Sequence, residues 1–188
     1  YSETSFTGAL FDDDGNIDTG FIMTYTWKDS SKAVKKSESK VTFSGGHPSK
    51  SETTNYKSSG AVKDYSETDF AGALFDDDGN IDSGFITTNT WKDSSKAVKK
   101  SESKVTFSSG HPVKSETTNY KTGGIVKDYS ETSFTGAVFD DDGNIDSGFI
   151  NTTTWKDSTK AVKKSESKVR FDLGHPVKSE TTNYKTGG

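Results

Sequence analysis

The segment FDDDGNID at Phe11–Asp18 returns unchanged at Phe75–Asp82 and Phe139–Asp146, so the chain repeats itself every 64 residues. The rest of the sequence keeps the same period. YSETSF at Tyr1 becomes YSETDF at Tyr65 and YSETSF at Tyr129. TWKDSSKAVKKSESKV starts at Thr26 and Thr90 and returns at Thr154 with Thr159 in place of the second serine; GHP falls at Gly46, Gly110 and Gly174. The repeats are 1–64, 65–128 and 129–188, each with one Trp, one His and one Pro. A period of this length restricts the fold to stacked or closed copies of one supersecondary unit.

That unit reads as β structure. Asp-Gly between two β-prone runs predicts a two-residue hairpin with positive φ at both turn positions. With Asp14 and Gly15 at the turn, Asp12 faces Ile17, Leu10 faces Thr19, Gly8 faces Phe21 and Phe6 faces Met23. Gly8 then lets the Phe21 ring lie over bare backbone. Ile17–Trp27 alternates as a second strand, KDSSK is a loop, Ala33–Phe43 is a third strand, SGGHP breaks the chain, and Lys50–Tyr56 is a fourth. Ala61–Phe75 begins the next repeat. Four strands per repeat give about twelve, and no helix is expected, since Ser, Thr and Gly are abundant while Leu is scarce.

The core must be thin. Leu, Ile, Val and Phe make up 33 of 188 residues, a share near that of disordered chains, but 12% aromatics and a net charge of only −4 favour folding. A 64-residue piece of this composition is marginal alone, so the repeats are expected to share an interior. Open solenoids carry distinctive end repeats, and these end repeats are as standard as the middle one. The expected fold is therefore all-β, a single domain over 1–188 closed into a pseudo-threefold barrel or prism. A longer surface-fibre array and a flat single-layer sheet rich in Lys, Ser, Thr and Glu are the alternatives.

The copies differ where constraint is weak. Met23 and Tyr25 become Thr87 and Asn89, then Asn151 and Thr153. A dry core would not accept Met, Thr and Asn in turn, so that end of the second strand is expected to be solvated, with Trp27 beside it partly exposed. The acidic tips alternate carboxylates at Asp12, Asp14, Asp76, Asp78, Asp140 and Asp142. They lack the EF-hand's glycine at position six and glutamate at position twelve; a looser Ca²⁺ site and a solvated turn whose carboxylates meet lysines are both open readings, and no cofactor is required. Trp27, Trp91 and Trp155 could be core residues or plates for a sugar ring, with Asn16, Asp18, Asn80, Asp82, Asn144 and Asp146 as hydroxyl-binding partners. His47, His111 and His175 read as solvated or carboxylate-paired loop residues.

Several function classes fall away. The chain has no cysteine, no nucleophile elbow, no phosphate loop and no zinc-helix motif, and near-identical copies suit multivalent binding better than asymmetric catalysis. An enzyme is not expected. Lysines are balanced by acids, so no nucleic-acid partner is expected, and no apolar run is long enough for a membrane span. The start at Tyr1 without methionine fits a mature or excised chain. In architecture the chain resembles repeat-built β lectins, without any diagnostic lectin motif. The resemblance implies non-catalytic, multivalent carbohydrate binding, with glycans or glycoproteins as partners and an extracellular or cell-surface location. The alternatives are a structural or adhesive repeat module and a β-barrel enclosing a small hydrophobic ligand. Oligomeric state stays open.

Overall fold

The computed structural model describes residues 1–185. Fourteen strands form one sheet: β1 (Ser2–Phe11), β2 (Ile17–Trp27), β3 (Lys35–Ser44), β4 (His47–Tyr56), β5 (Val62–Asp69), β6 (Ala73–Phe75), β7 (Ile81–Trp91), β8 (Lys99–Ser108), β9 (His111–Tyr120), β10 (Val126–Ser133), β11 (Ala137–Phe139), β12 (Ile145–Trp155), β13 (Lys163–Asp172) and β14 (His175–Asn183). All pairings are antiparallel, and twelve strands follow one another across the sheet as a meander, with β6 on β7 and β11 on β12. No helix occurs among the described residues. The run expected as one strand, Ala61–Phe75, is divided into β5 and β6 by a turn in which the Ala73 N–H donates to the Phe70 carbonyl at 2.9 Å.

The sheet does not close. Its path ends at β1 on one side and β14 on the other, which overturns the barrel or prism and with it the enclosed ligand cavity. The physical reason lies in the side chains. Among the described residues only Tyr65 and Tyr129 are buried, at 7% exposure each, because both faces are covered by residues that tolerate water. One face carries cross-strand hydroxyl pairs: Thr4 with Thr24 at 3.1 Å, Ser39 with Thr53 at 3.0 Å, and Thr68 with Thr88 and Thr132 with Thr152 at 2.9 Å. The other carries lysine and glutamate ladders whose stems shield aromatic rings. Lys40 lies 4.4 Å over Phe21, Lys104 3.9 Å over Phe85 and Lys168 3.7 Å over Phe149. With no apolar face to hide, nothing drives the sheet to curl. The repeats join through backbone ladders, β4 to β5 and β9 to β10, where a shared core was expected.

The two-residue hairpin turn does not lie where the sequence reading put it. At the acidic tip the Asp12 N–H donates to Asn16 (2.9 Å) and the Gly15 N–H to Asp12 (3.1 Å), and only Gly15 has positive φ. This is a three-residue loop with a glycine bulge. The extra loop residue moves Ile17 opposite Phe11, and a second irregularity places Met23 opposite Ser5. Leu10–Thr19 and Gly8–Phe21 hold as expected. A Cβ on Gly8 would stand 2.5 Å from the Phe21 ring, so the bare-backbone reading is met. The two-residue turn with both φ positive lies at Gly45-Gly46, Ser109-Gly110 and Leu173-Gly174. His47 and Pro48 therefore belong to β4, not to a break.

Candidate functional site

One carboxylate of each acidic tip is taken up by its own turn. Asp12 Oδ1 accepts from the backbone N–H of Asp14 (3.0 Å) and Asn16 (2.8 Å), and the Asn16 amide donates to Oδ2 at 3.4 Å. Asp76 and Asp140 repeat this with Asp78 and Asn80, and with Asp142 and Asn144. The carbonyls of Asp18, Asp82 and Asp146 accept from Gly46, Gly110 and Gly174 of the adjoining hairpins. Such side-chain-to-backbone bonds are how Asp and Asn hold turns. Among the described residues no lysine meets Asp12, Asp14 or their equivalents, and no three acidic or histidine groups converge on a point.

The tryptophans stand elsewhere. Asp18 and Trp27 occupy opposite ends of β2, nine residues and about 30 Å apart. The structure therefore does not bring Trp27, Trp91 or Trp155 together with Asn16, Asp18, Asn80, Asp82, Asn144 or Asp146. Each tryptophan instead joins a tyrosine and a lysine. Tyr65 and Trp91, opposite each other on β5 and β7, have ring centroids 6.1 Å apart; Tyr1–Trp27 and Tyr129–Trp155 repeat this at 6.0 and 5.9 Å. The loop after each tryptophan sends a lysine back over it, Lys32, Lys96 and Lys160 at 5.3, 5.4 and 5.3 Å. The plate a sugar would stack on is occupied by an ammonium group.

Charge completes the cluster. Glu52 and Glu67 face each other across β4 and β5, a repulsive pair unless bridged. The single Tyr65 O–H is shared between Glu52 at 2.7 Å and Glu67 at 2.8 Å, Lys50 reaches them at 3.2 and 3.1 Å, and Lys96 meets Glu67 at 2.5 Å. Burial raises the Glu67 carboxyl, but bonds from Lys96, Tyr65 and Lys50 outweigh it and bring it down to about 2. Burial, then Glu52 and Glu67, push the Tyr65 phenol far above its ordinary value. Tyr129, Glu116, Glu131, Lys114 and Lys160 form the same cluster between β9, β10 and β12. Sequence reasoning passed over these residues. Their only signal was the recurring YSE, KSE, DSSK and DSTK segments, whose adjacency depends on strand register.

Between clusters lies a shallow polar groove of about 350 Å³, lined by Thr87, Asn89, Glu102, Lys104, Glu116 and Tyr129 among others. Its equivalent beside Asn151 and Thr153 also takes in Glu166 and Lys168. The positions that drift between copies line these grooves, in keeping with a solvated strand end. Two histidines differ from expectation: His47 stacks flat on Phe75 at 4.6 Å and 2°, and His111 on Phe139 at 4.5 Å and 3°, while His175 is exposed. Neither stacked histidine pairs with a carboxylate. Among the described residues no helix is long and apolar enough to cross a membrane. In sequence the chain matches no protein-family model and no curated protein.

Proposed function

We propose that this chain is a non-catalytic structural module, an extended polar ribbon that spaces or displays surfaces outside the cell. One observation carries the reading. The molecule exposes 11393 Å² for 20.4 kDa, about 30% more than the roughly 8,800 Å² expected of a globular chain of that mass. A chain that leaves so much surface wet gains reach. Twelve strands in sequence at ~4.8 Å spacing span about 55 Å, with strands about 35 Å long in a layer roughly 10 Å thick. Small-angle scattering of the monomer should give a radius of gyration near 19 Å for such a plate, against about 16 Å for a globular chain of this length. A value near 16 Å sinks the reading.

A second reading keeps glycan recognition but moves its place. The groove beside Asn89, Glu102 and Glu116 offers amide, carboxylate and hydroxyl groups, the fixed polar groups that sugar sites use to hold hydroxyls. Binding on a glycan array that is lost in Asn89→Ala with Glu116→Gln would support it, and silence across the array would remove it.

A further inference from the structure

The segment HPVKSETTN occurs twice with opposite fates. In β9 every residue is partly covered, and in β14 every one is exposed. The difference is a neighbour: β9 has β10 alongside, whereas β14 is the last strand of the sheet. The opposite edge shows the complementary lack. Tyr65 and Tyr129 are 7% exposed where β4 and β9 flank them, and Tyr1 is 51% exposed. Phe75 and Phe139 carry stacked histidines, while Phe11 is 53% exposed and His175 is exposed. Each edge displays the half of an interface that the other edge supplies.

We propose that the β14 edge of one molecule accepts the β1 edge of a second copy as its next strand, building an open-ended head-to-tail ribbon. The internal pairing of β4 with β5 sets the register. Lys178 then faces Ser5 of the second copy, Ser179 faces Thr4, Glu180 faces Glu3, Thr181 faces Ser2 and Thr182 faces Tyr1. The groups that stabilise the internal interface are in place. Lys178 already holds Glu180 at 2.9 Å, as Lys50 holds Glu52, and it can reach Glu3 as Lys50 reaches Glu67. The Tyr1 hydroxyl, now on Glu3 alone at 2.8 Å, gains Glu180. His175 gains Phe11.

Backbone polarity agrees. The Trp27 N–H donates to the Tyr1 carbonyl and the Tyr1 amine to the Trp27 carbonyl, so alternation turns the N–H and C=O groups of Ser2 and Thr4 to the open edge. The Phe70 N–H donates to the Ser49 carbonyl across the internal interface, which assigns the same outward role to Ser179 and Thr181. An exposed strand of this length is a template for pairing, and a heterologous contact that does not close makes fibres. The internal interface has seven residue pairs, and the intermolecular one has five, from Lys178 opposite Ser5 to Thr182 opposite Tyr1. Without a covalent linker, association belongs at concentrations approaching the millimolar effective concentration that a short linker supplies. The proposal rests on the single-layer reading, but that reading is tested on the monomer and this one on association, so the two fail separately.

Proline at an outward-facing position removes an edge donor and leaves the bonds to β2 or β13 intact. Sedimentation equilibrium of the whole 188-residue chain from about 10 μM to about 1 mM should show the mass climbing above 20.4 kDa without a plateau. Ser179→Pro and Thr4→Pro should each remain monomeric, because every contact needs one edge of each kind. An equimolar mixture of the two should form a dimer and stop there. Unfolding curves confirm that each variant folds, and Thr181→Pro with Ser2→Pro repeats the test on neighbouring pairs. A wild-type chain that stays monomeric throughout, a variant that pairs with itself, or a mixture that does not dimerise overturns the proposal.

Discussion

Replacing Tyr65 by Phe removes one hydroxyl and nothing else. That hydroxyl bridges Glu52 and Glu67 at 2.7 and 2.8 Å, in a position only 7% exposed. Hydrogen bonds to charged groups contribute about 1.5–3 kcal/mol when one partner is deleted and the other stays half-buried. The two carboxylates would then depend on Lys50 and Lys96, which are more than 40% exposed and so weakly held. We expect Tyr65→Phe and Tyr129→Phe each to destabilise the chain by about 2 kcal/mol, or roughly 4–8 °C in Tm for a chain of this size. Tyr1→Phe is the built-in control. The same residue there is 51% exposed and bonds Glu3 alone, so its loss should stay within about 0.5 kcal/mol. Urea unfolding followed by tryptophan fluorescence, at dilution that keeps the chain monomeric, reads all three, since each tyrosine lies about 6 Å from a tryptophan. Equal effects at the three sites, or no effect at Tyr65, would refute the claim that the flanking strand makes the cluster.

Acid should weaken the sheet with a defined sign. The Glu67 carboxyl is held at about 2 in the folded chain and lies near 4.5 when free; a lowered carboxylate stabilises above its unfolded value, so the contribution is present above about pH 5 and is lost as pH falls towards 2. Discounted for the solvated lysines, it amounts to about 1–2 kcal/mol, and Glu67→Gln should flatten the pH dependence of the urea midpoint. Gly84, with φ of +88°, would place a Cβ against the Gly72 carbonyl oxygen inside van der Waals contact; Gly84→Ala should cost about 3 kcal/mol or more. Gly79, with φ of +81° and open space around it, should cost only about 1 kcal/mol as Ala, measured by the same unfolding curves. Leu173 sits at φ 49° and is 79% exposed, so Leu173→Gly should stabilise by about 0.5–1 kcal/mol, read as a rise in Tm.

Local features were legible where neighbouring residues alone decide them. The strand Ile17–Trp27 was readable from its alternation, whereas Gly8 meets Phe21 because an irregularity between Leu10 and Phe11 offsets the extra loop residue. The tip itself was misread, because Asp-Gly permits two loop lengths and the choice depends on whether the Asp12 carboxylate gathers the backbone N–H groups of Asp14 and Asn16. Pairing Trp27 with Asp18 failed for a geometric reason: nine residues of strand are rigid and straight, so they separate what sequence proximity suggests is together. The Tyr65–Glu52–Glu67 cluster was invisible because its members come from β4 and β5, and a register one residue different would send them to opposite faces.

The 64-residue period, the alternation and the scarcity of Leu determined by themselves that the chain would be antiparallel β. Whether the copies would close around an interior was not in the pattern, because the same alternation serves a barrel and an open sheet. Tertiary structure decided it: with hydroxyl pairs on one face and lysine stems over rings on the other, neither face gains enough by leaving water to bend the sheet, and its two edges stay apart.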